Sequence, residues 1–149
     1  MRPSVLHQLF LCLFLVCGCP LGTLGGTYAD GLSGLKRNYP FNSKWKNNYR
    51  SGLRQYSPRN RAKATAIVNT LIDGLIGLGS KADENRKIAL FKAAVLALNR
   101  LNAATDHSLI ETEERDELVT LFNSIATAAN IDYRKYGHGE GPAGEWRDW

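Results

Sequence analysis

The sequence predicts an all-α fold, a small four-helix bundle after an N-terminal signal peptide. Three observations carry that prediction. Ile88 to Asn102 is a nearly apolar run without Gly or Pro, rich in Ala and Leu, which reads as a central helix. Amphipathic segments precede and follow it, four in all. No stretch alternates polar and apolar residues as a half-buried strand would.

The elements follow in chain order. Met1 to about residue 25 has a basic start at Arg2, an apolar core from Leu9 to Val16, and small residues at Gly18, Gly22, Gly25 and Gly26. That is the pattern of a secretory signal, and the apolar run is short of the ~20 residues that span a bilayer. Cys12, Cys17 and Cys19 all fall within it, so the mature chain is expected to have no disulfide. Val16-Cys17-Gly18-Cys19 also loosely resembles a lipoprotein signal with Cys19 as the acylated residue. The chain is therefore expected to be secreted or periplasmic, or else lipid-anchored at the cell envelope.

Residues 26–40 read as loop, with Gly31, Gly34 and Pro40. The bundle domain is placed at 41–130. Phe41, Trp45, Tyr49, Leu53 and Tyr56 recur at helical spacing, giving a helix near 43–56 with Ser43 as its cap. Ser57-Pro58 starts a second helix, near 58–78, with Ala64, Ile67, Val68, Leu71, Leu75 and Leu78 inward and Gly77 and Gly79 at its end. A short link makes it the antiparallel neighbour of the third, near 83–102. In that helix Phe91, Val95 and Leu98 are core candidates. A helix apolar on so many sides calls for cover on several of them. The fourth helix, near 112–129, has Thr112 as cap and Leu118, Leu121, Phe122, Ile125 and Ala129 inward. Residues 131–149 form a tail. Tyr136 to Glu145 is linker-like in composition, and Trp146 and Trp149 are expected to dock on the bundle because exposed tryptophans are costly in water.

Charge is unevenly spread. Gly31 to Ile72 holds nine Lys or Arg and no acid, while acids crowd into Glu111 to Glu117. Lys46, Arg50 and Arg54 form a basic stripe, flanked by Arg59, Arg61 and Lys63. Such a set can meet phosphate, anionic lipid, an acidic polymer or nucleic acid. Alternatively it is a solvated face beside core aromatics, or it pairs internally with the acids of the last helix. The mature chain's excess of about four positive charges is small, which favours internal pairing.

Only one polar cluster suggests acid/base chemistry: His107 with Glu111 and Glu114, beside Asp106. A histidine among carboxylates can titrate near neutral pH or hold a metal. A solvated loop and helix start explains the same residues more simply. Asn99 and Asn102 interrupt the apolar helix; Asn102 is read as its C-cap and Asn99 as bonded to a nearby loop. No phosphate-binding glycine loop, nucleophile elbow or Cys/His ligand set occurs in the sequence, so no catalytic residue, metal or cofactor is assigned.

Ser108-Leu109-Ile110-Glu111-Thr112-Glu113-Glu114-Arg115 resembles the S-x-I-E-T-x-x-R element of a small, uncharacterised all-helical bacterial family. Members of that family also end in the Arg-Asp-Trp found here as Arg147-Asp148-Trp149, and Leu98 to Asn102 is similar too. The similarity covers the C-terminal third, and the first half departs from it. It implies an all-α fold and no activity. Within the motif, Glu111 or Glu114 is expected to hold Arg115 or Arg147 and so pin the tail.

The functional expectation is an exported helical binding module whose partner is a protein or an anionic surface. The alternative is a small hydrolase or metal-dependent enzyme built on His107 and Glu111.

Overall fold

A computed structural model describes residues 27–149; the signal segment and Cys19 lie outside them. Every regular element among the described residues is helical. The described residues hold five α-helices rather than four: α1 (Tyr28–Leu35), α2 (Lys44–Arg50), α3 (Pro58–Leu78), α4 (Glu84–Ala103) and α5 (Thr112–Ala128). Short 3-10 turns join or follow them at Lys36–Asn38, Arg54–Tyr56, Tyr133–Lys135, Gly137–Gly139 and Pro142–Glu145.

The helix α1 corrects the loop expected at 26–40. Its glycines argue against helix, but Thr27 and Asp30 form a capping box that satisfies the first backbone N–H groups. Leu32 then buries completely, and α1 lies against both α3 and α5. The helix expected at 43–56 is likewise corrected. It stops at Arg50 because Gly52 takes φ 102°, a left-handed conformation that ends the helix. Ser43 precedes α2 but its side chain makes no capping bond. The aromatic face survives the break. Tyr39, Phe41, Trp45 and Tyr56 bury in a chain of ring contacts, with centroids 5.6, 4.8 and 5.3 Å apart in that order. Tyr49 is half-buried and Leu53 is exposed.

The central pair is α3 and α4, antiparallel across the link 79–83. Ser57 caps α3 by accepting from the Asn60 N–H, with Pro58 at the first helical position. Gly79, at φ 82°, ends it. Asp83 caps α4 by accepting from Asn85 and Arg86. The two helices approach closely at Gly74, where a Cβ would lie 2.9 Å from a Leu90 methyl. On the inner side Phe91 meets Phe122 of α5 edge to face, centroids 6.1 Å apart. Phe91, Val95, Leu98, Leu118, Phe122 and Ile125 are fully buried there.

Asn102 is not the C-cap of α4, which runs on to Ala103. Its side chain serves the next loop instead. The Asn102 Oδ1 accepts from the backbone N–H of Leu109 at 3.1 Å and of Ile110 at 2.9 Å. This seats both apolar side chains in the core before α5 begins. Glu111 rather than Thr112 occupies the N-cap of α5, and no side chain caps it.

The stretch 136–145 is a run of tight turns rather than a linker. Gly137 and Gly141 adopt positive φ, Pro142 and Ala143 are buried, and the last turn packs on α4 and α5. Asn99 donates to the Trp146 carbonyl at 2.8 Å, so its partner is this tail and not the loop after α4. Trp149 is buried and Trp146 packs at the core's edge.

Candidate functional site

The acids at the start of α5 gather around one lysine. The Lys44 Nζ stands 3.1 Å from Glu113, 3.5 Å from Glu114 and 3.1 Å from Glu117. The helix dipole favours carboxylates in that first turn. Glu114 is buried, and Lys44 is mostly covered. Burial works against the Lys44 charge, but hydrogen bonds to Glu113 and Glu117 outweigh it and hold the lysine pKa above its ordinary value. Beneath them lies Tyr56. Burial first, and then the Glu114 carboxylate, push its hydroxyl far above the usual tyrosine range. The group ties α2 and its following turn to α5. Each of the three acids faces the Lys44 ammonium, so the group acts as a clamp. On its far side Glu117 borders an open depression with Pro40, Asp116 and Thr120, and its Oε2 has no partner among the described residues.

Internal pairing of the basic segment with these acids therefore occurs, but through Lys44 and not through the stripe. Lys36 is also taken, by Asp73. Lys46, Arg50, Arg54, Arg59 and Lys63 are exposed, and none has a carboxylate within ion-pair distance among the described residues. Arg54 rests over the Tyr49 ring at 5.3 Å. Arg61 is half-buried, its Nε has no acceptor, and it lines a depression beside Phe41 and Asn69. Because α2 and the 54–56 turn both pack on α3, these cations share one end of the molecule. Antiparallel packing adds Arg100 of α4 to that end, where it borders the same depression as Lys63. Sequence reading missed Arg100, a lone cation in an apolar helix. It also passed over Lys44, two residues before Lys46 and out of register with the four-residue stripe.

His107, Glu111 and Glu114 are not brought together. His107 is exposed in a left-handed turn at φ 58°, Glu111 is exposed, and Glu114 turns inward to Lys44. No three His, Cys, Asp or Glu side chains among the described residues are placed to hold a metal ion. Arg147 pairs with Glu140 at 2.6 Å, and Arg115 makes no ion pair among the described residues, so neither Glu111 nor Glu114 pins the tail through an arginine. Arg115 and Arg147 instead face a shallow polar concavity of about 600 Å³ with Asp116, Thr120 and Tyr133.

No family model, curated protein or solved structure matches the chain, so its functional reading rests on these side chains alone.

Proposed function

We propose that the chain is an exported, non-enzymatic binding module that meets an anionic partner through the basic end formed by α2, the 54–56 turn and the start of α3. One observation carries the reading: Lys46, Arg50, Arg54, Arg59 and Lys63 are exposed with no carboxylate at ion-pair distance among the described residues, while Glu113, Glu114 and Glu117 of α5 are already committed to Lys44. Several unpaired cations on one end give a local field that the small net charge conceals. An anionic surface would release their counterions and bind with steep salt dependence. Export is supported by the leader-like composition of the first 25 residues. An N-terminal sequence of the protein recovered from its native cell tests it; an intact leader sinks it.

Retention on a polyanion column tests the binding reading. The protein is compared with a variant carrying Gln at Lys46, Arg50 and Arg54. Retention that falls with salt and disappears in the variant is the expected result. Elution of both proteins together at low salt would defeat an anionic partner at this surface.

A further inference from the structure

The outer side of the α3/α4 pair is left uncovered. Ala66, Ile67 and Thr70 of α3 face Leu90, Ala93 and Ala97 of α4 across a furrow of about 290 Å³. It continues past Ala66, Ile67 and Ala97 into a second depression of about 330 Å³, bordered by Lys63 and Arg100. The central helix was expected to need cover on several sides. The helix α5 meets its Phe91 side; on the α3 side Ala94 and Leu101 are buried, and Leu90, Ala93 and Ala97 stay open or half-open. We propose that this furrow docks an acidic amphipathic helix of a partner protein.

Shape favours a helix. The small side chains at positions 66, 70, 93 and 97 recur one turn apart and leave hollows between the two helices. Side chains projecting from a third helix can fill hollows at that spacing. Leu71 and Ala94, at the floor, are buried below the rim, beyond the reach of a flat membrane surface.

Charge favours an acidic occupant. No Asp or Glu lines either depression. Lys63 and Arg100 are exposed and have no carboxylate partner among the described residues. A carboxylate carried by the incoming helix would supply one at the groove's mouth. A second copy of this chain would present the same acid-free furrow, with nothing to pair with either cation. The furrow shares Lys63 with the proposed basic end but none of Lys46, Arg50 and Arg54, so the Gln variant of those three leaves the furrow unchanged and separates the two readings.

The test selects binders from a displayed library of amphipathic helical peptides whose polar-face charge varies freely, using the full chain as bait. Two variants accompany it. Ala93→Glu places a charged side chain in the furrow at an exposed position. Lys63→Gln with Arg100→Gln removes the cations and leaves the furrow's shape intact. Peptides with an acidic polar face and a branched apolar face should be enriched. Their affinity should fall at least about tenfold in Ala93→Glu, and the double Gln variant should lose the preference for acidic over neutral peptides. Failure to enrich any peptide, enrichment of basic or neutral ones, or binding that ignores both variants would overturn the proposal. So would self-association, or adsorption to anionic phosphatidylserine vesicles, that Ala93→Glu abolishes. Those results would assign the furrow to a second copy or to a lipid surface.

Discussion

The Nζ of Lys87, on α4, donates to the carbonyl oxygen of Ala129, the C-cap of α5, at 2.9 Å. The same ammonium donates to the Ser80 carbonyl at 2.8 Å and lies 5.5 Å from the centre of the Tyr28 ring. A buried cation thus closes one helix end, holds the α3–α4 link and touches α1. Cations are favoured at a helix C-terminus, and a buried carbonyl left unpaired costs about 1–3 kcal/mol. Lys87→Met keeps most of the volume and removes the donors. It should destabilise the protein by about 2–4 kcal/mol, since two carbonyls lose their partner. Urea unfolding checks this; an unchanged midpoint would show that water satisfies both carbonyls.

Asn102 invites a similar test with a different readout. Its single Oδ1 serves two buried N–H groups, at Leu109 and Ile110. Asn102→Ala strands both, at about 1–3 kcal/mol each. Asn102→Asp should keep the acceptor and cost less than Ala. Amide hydrogen exchange at residues 109 and 110 should accelerate selectively in the alanine variant. Uniform acceleration across α4 and α5 would mean that Asn102 supports the helix rather than the loop.

Stability should fall in alkali. Tyr39 is pushed up to about 12 by burial and by Asp73, and Tyr136 to about 12 by burial and its hydrogen bond to Glu84. Tyr56 and Lys44 shift in the same direction. Each group has a folded pKa above its unfolded one, so the folded chain binds more protons at high pH. The stabilisation they contribute is complete below the unfolded values, 10.0 for tyrosine and 10.5 for lysine, and is lost as pH rises through the folded ones. The melting temperature should therefore decline from about pH 10 upward, and Tyr136→Phe should shallow that decline. A midpoint that stays level to about pH 11.5 would contradict it.

The sequence made α3, α4 and α5 legible because each is long, periodic and bounded by recognisable residues: Ser57-Pro58, Gly79 and Asp83 mark ends through local chemistry. The helix α1 was hidden by glycines whose low propensity outweighed the capping pair Thr27 and Asp30 in the reading. The break after Arg50 was hidden for the opposite reason, since the aromatic spacing runs on through Gly52 as if the helix continued. Of the candidate site, the meeting of basic segment and α5 acids was legible as charge, but its owner was not. Which lysine faces α5 depends on where α2 begins and how it packs, and periodicity alone put Lys46, Arg50 and Arg54 forward in place of Lys44. The contribution of Arg100 needed the antiparallel pairing, and Arg147's partner Glu140 needed the fold of the tail.

The contact of Gly74 with Leu90 and the bond from Asn99 to Trp146 differ in how much chain each must gather. The first joins neighbouring helices across a short link, whereas the second spans 47 positions. Closing the shorter loop costs less entropy, so the α3/α4 hairpin is expected to form early and the tail to settle last. Gly74→Ala, which crowds Leu90, should then slow refolding, while Asn99→Ala should mainly quicken unfolding. Stopped-flow chevrons distinguish the two; the reverse partition would place the tail in the folding nucleus.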